Sequence, residues 1–295
     1  MAAQVFFARV AFIGLGLIGS SLARRMKRDR LAGSIAGCAK TEATRSISLK
    51  LGFIDEAFAD PGEAVRGADL VVLCVPVGAN AAIAERLSPT LKAGAIVSDV
   101  GSVKSAVIRD VAPHLPQGVH FVPAHPVAGT EHSGPEAGFP ELFEGRWCIL
   151  TPLPGGDAQA TQRVSALWQA AGSMVEIMDA AHHDLVLAIT SHLPHLIAYN
   201  IVGTVAELEE SSRQEVFKYA AGGFRDFTRI AASDPVMWRD IFLNNREAVL
   251  EMLGRFNEDL TALQRAIRRG DGQALEDLFR LTRAIRRGVI EAKQA

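Results

Sequence analysis

A glycine-rich turn between an apolar segment and a helical pattern places the strongest constraint on how this chain can fold. The segment RVAFI at 9–13 predicts a buried strand, a GxGxxG turn follows it, and a helical pattern then runs through Arg28. In this strand–turn–helix context the glycines are typical of a dinucleotide-binding unit, because they permit a tight turn, the approach of a pyrophosphate and close helix packing. The predicted phosphate-binding residues are Gly14, Leu15, Gly16, Leu17, Ile18 and Gly19. A structural glycine turn that binds no ligand is the alternative.

The end of the second predicted strand, SIAGCA at 34–39, bears on which dinucleotide would bind. An NAD-specific site carries Asp or Glu there, which hydrogen-bonds the ribose 2′-hydroxyl. This chain has Ala39, Lys40 and Thr41 at that place, with Arg45 one helical turn further on. The missing carboxylate and the nearby cations favour a 2′-phosphate, so we expect NADP to be favoured over NAD, with dual use open. In the alternative interpretation, the two cations are only solvated surface charges.

Strand patterns alternate with amphipathic helix patterns through the first 178 residues. Further strands are predicted at 70–75, 95–98, 119–124, 146–151 and 174–177, and helices at 79–91, 104–115 and 158–171. This alternation predicts an α/β Rossmann-like doubly wound domain with a parallel sheet. Because 295 residues exceed the usual limit of one core, and strand patterns stop at Asp179, a second domain is expected. We predict a dinucleotide-binding domain at 1–178 and an all-α substrate-binding and dimerisation domain at 179–295.

Several residues follow the carboxyl ends of predicted strands, which is the edge where open parallel sheets bind ligands. Val75 and Pro76 close one strand, Ser102 lies in the segment DVGSVK after the next, and His125 directly follows strand 119–124. We therefore expect Val75 and Pro76 to contact a cofactor and His125 to lie where chemistry takes place. Ser102 is either a hydrogen-bond donor to a ligand or the cap of the following helix, and the sequence leaves both open.

The first helix after residue 178 carries two histidines in an uncharged stretch. His192 and His195 are three residues apart in SHLPH and so share one helix face. The stretch 185–206 lacks Asp, Glu, Lys and Arg, but its histidines and Asn200 are costly in hydrocarbon, which favours a buried helix with functional polar groups over a membrane span. No HExxH glutamate or cysteine pair accompanies the histidines, so no metal is expected. A hydrogen-bonded core histidine is the alternative for each imidazole taken singly.

The segment GGFRDFTRIAASDP contains the candidate ligand for an anion. Arginine suits bidentate recognition of a carboxylate, and the segment holds two of them. Arg225 can pair with Asp226 beside it, whereas Arg229 precedes an apolar stretch and is predicted to face a ligand. Asp234 and Pro235 have the pattern of a helix start.

The net charge, the N-terminal segment and the cysteines indicate which partners and which cell compartment to expect. A net charge of −2 gives no sign of a surface for nucleic acid or for an anionic membrane. The N-terminal segment lacks the basic residues of a secretion signal, so export is not expected. Three cysteines, odd in number and set in apolar runs, predict reduced core residues of a cytoplasmic protein. They are Cys38, Cys74 and Cys148.

An apolar stripe near the C-terminus predicts a long amphipathic helix. The stripe consists of Val249, Leu253, Phe256, Leu260, Leu263 and Ile267. The turn Gly270-Asp271-Gly272 then leads into a final helix through about Glu291. Such a helical hairpin commonly packs against its copy, which predicts a homodimer, and packing within one subunit is the alternative.

Taken together, the motifs resemble those of the prephenate and arogenate (cyclohexadienyl) dehydrogenases of tyrosine biosynthesis. The motifs are GLGLIGSSLA, DVGSVK, HPVAGTE, SHLPH, GGFRDFTRIAASDP and MWRDIF, in the family's order and over nearly the whole chain. The third, fourth and fifth motifs are specific, because dehydrogenases in general do not share them. The chain has the length of the family's catalytic domain alone.

The resemblance implies oxidative decarboxylation of prephenate and/or arogenate to 4-hydroxyphenylpyruvate and/or tyrosine, with hydride transfer to NAD(P)+. It implies that His125 accepts the proton of the 4-hydroxyl, that Ser102 orients the reacting groups, and that Arg229 binds a carboxylate. The implied catalytic residues are His125, Ser102 and His195, and the implied substrate-binding residues are Arg229, His192, Thr130, Glu131 and Trp238. The family's usual acid is absent at Ala39, which leaves the cofactor open. A homodimer, and tyrosine as an inhibitor in the same pocket, are further expectations.

Two other functions are compatible with the same domain plan. A β-hydroxyacid or imine reductase would need a Lys or Asn on the interdomain helix as proton donor, where this chain has His192 and His195. A non-catalytic nucleotide-sensing protein would be expected to lose its proton-handling residues, yet those residues are present.

Overall fold

The computed structural model describes residues 5–208 and 210–291. The chain divides into two compact units, Met1–Arg246 and Glu247–Ala295. Within the described residues, the first unit contains all the strands together with helices, and the second is helical.

The strands of the first unit form two sheets. They are β1 (Phe7–Ile13), β2 (Ala32–Cys38), β3 (Glu56–Phe58), β4 (Leu70–Leu73), β5 (Ile96–Asp99), β6 (His120–Val122), β7 (Ala124–Pro126), β8 (Trp147–Leu150) and β9 (Met174–Ile177). The larger sheet is parallel, with the order β3-β2-β1-β4-β5-β6. The smaller sheet has the order β7-β8-β9, with β7 antiparallel to β8 and β8 parallel to β9. The strand order of the larger sheet reverses between β1 and β4, the position where doubly wound sheets bind dinucleotides.

The helices in the first half of the chain cross over between the strands. They are α1 (Leu17–Arg28), α2 (Glu42–Lys50), α3 (Pro61–Ala64), α4 (Asn80–Leu87), α5 (Lys104–Val111) and α6 (Ala158–Ala170). After β9 the described chain is helical. These helices are α7 (Ala180–Leu187), α8 (Leu193–Ala206), α9 (Glu210–Tyr219), α10 (Gly222–Thr228), α11 (Pro235–Asn244), α12 (Arg246–Arg269) and α13 (Gly272–Glu291). The α/β Rossmann-like domain followed by an all-α region is therefore confirmed.

Apolar side chains are buried on both faces of the six-stranded sheet, as expected where helices cover both faces of a parallel sheet. On one face Phe12 of β1 belongs to the same buried cluster as Leu22 of α1. On the other face its neighbour Ile13 belongs to a cluster that includes Val107 of α5. Alternate residues of one strand thus supply two cores, which explains why the part of β1 from Val10 to Ile13 is continuously apolar.

The strand predicted at 119–124 is divided in two, and this changes the position of the candidate catalytic residue. Proline lacks the N–H that a strand donates, and at Pro123 the chain leaves the six-stranded sheet. It then pairs with β8 in the smaller sheet. His125 therefore lies inside β7, opposite Ile149, and does not follow the end of a strand as predicted.

Other predicted bounds differ for similar local reasons. The helices predicted at 79–91 and 104–115 give way to 3-10 turns at Ser88–Thr90 and Ala112–His114, each of which contains a proline. The two glycines Gly222 and Gly223 begin α10. The three residues of β3 are too few to produce a periodic pattern. The start predicted for α11 is confirmed, because Asp234 accepts a hydrogen bond from the Met237 N–H at 2.8 Å.

A continuous helical run, Ala180–Ala206, consists of α7, a π-helical turn at Ala188–His192, and α8. By length and composition this run could cross a membrane, with a mean hydropathy of 1.5, although core helices of soluble proteins pass the same test. The π-helical turn contains His192. Such turns are frequent at functional sites.

The second unit consists of most of α12 together with α13. The predicted apolar stripe lies on α12, where Val249 is buried but Leu260 and Ile267 are 51% and 66% exposed. Helix α13 also exposes Phe279 and Ile285. Apolar side chains of this unit are therefore accessible to a partner.

Candidate active site

The turn after β1 has open space on the side where a pyrophosphate would approach. Gly14 has a φ of +103°, and a Cβ there would lie 2.2 Å from the carbonyl oxygen of Cys74. A Cβ on Gly19 would lie 2.4 Å from the Gly14 carbonyl oxygen, so α1 packs closely on the turn. By contrast, a Cβ on Gly16 would meet no atom within 4 Å. The residues present therefore fit a dinucleotide.

The start of α1 supplies unpaired backbone donors to the same place. Gly16 is the N-cap and provides no side-chain cap, so the first N–H groups of the helix remain available for an anion. Leu15 is buried in the core and can contribute only its backbone, whereas Leu17 and Ile18 are half-buried. Val75 and Pro76 follow β4, directly after Cys74, as expected of residues along the same cleft.

The loop after β2 is held together by Arg45. Its guanidinium donates to the carbonyl oxygens of Ala39 at 2.7 Å and Lys40 at 3.1 Å, and it pairs with Glu42 at 2.5 Å. Thr41 caps α2, since its hydroxyl accepts the N–H of Thr44 at 3.2 Å. Lys40 is exposed. Of the two predicted cations, Arg45 is thus already paired with a carboxylate and Lys40 projects into solvent.

His125 lies at the carboxyl edge of the larger sheet, because Ala124 before it is held by two groups near the end of β5. Asp99 and Lys104 form an ion pair in which both side chains are fully buried. Asp99 accepts the N–H of Ala124 at 3.2 Å, and the Lys104 ammonium donates to the Ala124 carbonyl oxygen at 2.6 Å. The ion pair therefore fixes the backbone that carries His125.

A chain of hydrogen bonds connects His125 to a carboxylate. The Nδ1 atom of His125 lies 2.8 Å from Nε2 of His183, and Nδ1 of His183 lies 2.9 Å from Oδ1 of Asp184. All three side chains are buried, with His125 only 7% exposed. Neither His183 nor Asp184 was predicted from the sequence. The available signal was the HD pair at the beginning of α7, just before the uncharged stretch that contains His192.

Asp184 also caps α5. Its carboxylate accepts the backbone N–H of Lys104 at 2.7 Å and of Ser105 at 2.9 Å. The N-cap position itself is Val103, which cannot cap. Of the two roles open to Ser102, the helix cap is therefore excluded, and its half-buried hydroxyl remains available to a ligand.

His192 is fully buried and has one nitrogen without a protein partner. The Asn245 amide donates to the Asp184 carbonyl oxygen at 2.8 Å and lies 3.0 Å from Nδ1 of His192. Among the described residues, Nε2 of His192 and Nε1 of Trp238 have no hydrogen-bond partner although both atoms are buried. Two polar atoms of this kind are expected where a ligand or water supplies the missing partner.

His195 lies against Trp238. The two rings are stacked with centroids 3.6 Å apart and an interplanar angle of 22°. The Nδ1 atom of His195 lies 2.9 Å from the Ser191 carbonyl oxygen, which can only accept, so Nδ1 is the donor. The other nitrogen, Nε2, then carries a lone pair when the ring is neutral.

Arg229 is paired with a predicted site residue from the loop after β7. Its Nη1 lies 3.1 Å from Oε2 of Glu131, and both residues are exposed. Thr130 beside Glu131 accepts the N–H of His132 at 3.3 Å and is exposed. Arg225 instead contacts Asp226 at 3.5 Å, as its sequence position suggests. The structure thus joins Arg229 to Glu131 and leaves Arg225 with its neighbour.

The imidazoles of the site are neutral near pH 7. Burial lowers the pKa of His125 well below its usual value, and the neighbouring His183 and Lys104 add to this effect. Burial also lowers the pKa of His192 to about 4 and lowers the pKa of His195. A neutral His125 can accept a proton. Within the described residues no group of three or more His, Cys, Asp or Glu side chains could hold a metal ion.

Two family models match the chain over nearly its whole length. The nucleotide-binding domain of prephenate dehydrogenase matches residues 22–177, and the dimerization domain of prephenate dehydrogenase matches residues 179–281. The cyclohexadienyl dehydrogenase of Zymomonas mobilis is 46% identical over 269 residues, which cover 91% of this chain and 92% of that protein.

Solved structures of the same family are also similar. The prephenate dehydrogenase of A. aeolicus, in complex with hydroxyphenyl propionate and NAD+, is 36% identical with a TM-score of 0.89, over 96% of this chain and 98% of that one. The arogenate dehydrogenase of Synechocystis is 26% identical with a TM-score of 0.79, over 95% and 99% of the two chains. Both the sequence profile and the fold agree with the motifs, and the chain belongs to the prephenate dehydrogenase family.

Proposed function

We propose that this protein catalyses the oxidative decarboxylation of prephenate and/or arogenate to 4-hydroxyphenylpyruvate and/or tyrosine. The observation that carries the proposal is the position of His125, a buried and neutral imidazole at the carboxyl edge of a dinucleotide-binding sheet. A bound nicotinamide coenzyme would supply the hydride acceptor. Family membership supports the substrate class.

In this proposal His125 takes the proton from the oxygen of the 4-hydroxyl group while the ring carbon that bears this group gives up its hydrogen as hydride, so that a C=O bond forms. Ser102 donates a hydrogen bond that orients the hydroxyl beside His125. The ring carboxylate departs as carbon dioxide, and the electron pair of the broken C–C bond completes the aromatic ring. The ring oxygen takes back the proton that His125 holds, which gives the phenol. Removing the proton in step with hydride loss avoids a cationic intermediate, which is the advantage of a positioned general base.

The remaining site residues bind the substrate. Arg229 binds a substrate carboxylate in a bidentate manner, and Glu131, which pairs with it, orients the guanidinium. His192 and Trp238 each contribute a buried polar atom that has no partner among the described residues, and His195 is held by its stack on Trp238. Thr130 shapes the loop that carries Glu131.

For the cofactor, we propose that NADP is favoured over NAD and that both are accepted. The absence of an acid at Ala39 and the exposed Lys40 support this preference. The Glu42–Arg45 pair supports the use of both coenzymes. Glu42 places a carboxylate next to this loop and forms an ion pair with Arg45, one of the two predicted cations. The residues that would hold the dinucleotide are the glycine turn Gly14–Gly19, together with Val75, Pro76 and the loop 39–45.

We further propose a homodimer and a domain boundary near residue 178. The match to a dimerization domain and the exposed apolar side chains of α12 and α13 support the dimer. The change from strands to helices after β9 supports the boundary. A cytoplasmic location is supported by the three cysteines, which are all free. Tyrosine, which is the product from arogenate and differs from 4-hydroxyphenylpyruvate only in its side chain, would bind in the same pocket as an inhibitor.

The test is a two-by-two rate comparison in which prephenate and arogenate are each assayed with NAD+ and NADP+. We expect turnover of at least one cyclohexadienyl acid, faster with NADP+, with formation of 4-hydroxyphenylpyruvate or tyrosine and release of carbon dioxide. Tyrosine added to the same assay is expected to compete with the substrate.

Small β-hydroxyacids assayed in parallel provide the control. If they were oxidised while both cyclohexadienyl acids were not, the protein would be a reductase of the alternative type. Tight cofactor binding without hydride transfer to any substrate would instead indicate a nucleotide sensor.

A further inference from the structure

The hydrogen bonds around Asp184 determine which atoms in the His125–His183–Asp184 chain carry protons. Both oxygens of the Asp184 carboxylate face backbone N–H groups, those of Lys104 and Ser105, which can only donate. Burial raises the pKa of Asp184, but the hydrogen bonds from His183 and from the start of α5 outweigh it, and the net pKa is lowered. The carboxylate is therefore ionised and accepts from every neighbour.

The polarity of the first bond follows from the ionised carboxylate. Because Asp184 holds no proton, Nδ1 of His183 must be the donor in their 2.9 Å contact. Burial lowers the pKa of His183, and the nearby Lys104 ammonium opposes a second positive charge. His183 is therefore neutral, and its Nε2 carries a lone pair.

The polarity of the second bond follows in turn. The lone pair on Nε2 of His183 faces Nδ1 of His125 at 2.8 Å, so Nδ1 of His125 must be the donor. His125 is also neutral, which leaves its Nε2 without a proton. This is the nitrogen that can accept a proton from a substrate hydroxyl.

We propose that His183 is a positioning residue that fixes His125 in the Nδ1–H tautomer, so that Nε2 is ready to act as the base. Asp184 sets the direction of the hydrogen bonds from His125 through His183. The charged and titratable groups around these residues are Lys104, Asp99 and His192, and the start of α5 also faces Asp184. In other enzymes a histidine base oriented by a buried carboxylate loses most of its activity when the tautomer is wrong. Here a second imidazole lies between the base and the carboxylate. The inference rests on the proposed function only for the role of His125, not for the tautomer itself.

The first test reads the tautomer directly by nitrogen NMR of 15N-histidine-labelled protein at neutral pH. The signals of His125 are assigned by their loss in His125→Gln. We expect a protonated Nδ1 and an unprotonated Nε2 in the wild-type protein. A protonated Nε2 on His125 would overturn the proposal, whether or not the protein turns over any substrate.

The second test compares two substitutions at one position. His183→Phe keeps a ring of similar size but removes both hydrogen bonds, so we expect kcat to fall by about 10²-fold or more while KM changes by less than about 3-fold. His183→Gln carries a donor and an acceptor on one amide, so we expect kcat to return to within about 10-fold of the wild type. A merely structural role would not produce this rescue.

The outcomes separate this inference from the proposed function. If His183→Phe folds and retains wild-type kcat, the positioning role is wrong although the enzyme is active. If the wild type turns over neither cyclohexadienyl acid, the proposed function fails while the NMR result still decides the tautomer. If His183→Phe does not fold, the wild-type NMR spectrum still decides the tautomer of His125, and the kcat of His183→Gln still tests the positioning role.

Discussion

Arg225 and Arg229 are four residues apart, but their surroundings assign them different roles. Arg225 contacts only the adjacent Asp226 in the described structure, and its side chain is 75% exposed. Arg229 contacts Glu131, which comes from the loop that follows His125 by a few residues. Glu131 thus orients the Arg229 guanidinium, and the N–H groups that do not contact Glu131 can bind the carboxylate of a substrate.

We expect Arg229→Ala to raise KM by about 10- to 100-fold with a much smaller change in kcat, because a charged hydrogen-bonded pair contributes roughly 1.5–3 kcal/mol. Steady-state kinetics on the preferred cyclohexadienyl acid measures this. Arg225→Ala is the matched control and should leave KM within about 2-fold. An unchanged KM in Arg229→Ala would show that the assigned role is wrong.

Single residues were predictable from the sequence where they follow a recognisable pattern. The glycines directly follow β1, and the chain reaches His125 a few residues after the end of β6 in the same sheet, so topology alone indicates one edge for both. His183, Asp184 and Asn245 have no such pattern, because their importance comes from contacts between α7, α5 and the end of α11. Contacts of this kind depend on how elements pack, which local periodicity does not encode.

At the scale of elements, strands and helices with a continuous apolar pattern could be predicted from the sequence. Element ends that depend on one proline or on one side chain distant in sequence could not. Pro123 ends β6 and so moves His125 into a second sheet. The N-terminus of α5 is capped by Asp184, which is 80 residues away in sequence from Lys104. A local search for a capping residue therefore selects Ser102, which is not the cap. The cofactor edge was predictable, whereas the geometry that orients the base was not.

At the scale of the whole molecule, several imidazoles are buried in the neutral form, and this makes stability depend on pH. The pKa of His192 is lowered to about 4, and burial lowers that of His125 and His183 in the same direction. In the unfolded chain each imidazole takes up a proton near pH 6.5. As pH falls below about 6.5, the unfolded state therefore gains protons that the folded state does not bind, and folding becomes less favourable.

We expect the free energy of unfolding to fall as pH is lowered from 7 towards 4, by up to about 1.4 kcal/mol per pH unit for each such imidazole. Urea denaturation at several pH values measures this. The carboxylate of Asp184 has a lowered pKa, so its contribution to the free energy of unfolding is lost only below about pH 3.9. This pH range is separate from that of the imidazoles. His192→Gln removes one imidazole and should give a shallower slope, whereas a flat wild-type profile above pH 4 would contradict the buried neutral assignment.

The central claim is that His125 accepts the proton of a ring alcohol beside a dinucleotide, and the most direct measurement is the turnover of His125→Asn. With the preferred cyclohexadienyl acid and coenzyme at saturation, we expect kcat to fall by about 10²- to 10⁴-fold with little change in KM. The matched control is His132→Asn, which changes an exposed histidine on the loop after β7 and should retain wild-type kcat. A His125→Asn variant that forms the aromatic product at the wild-type rate would contradict the account.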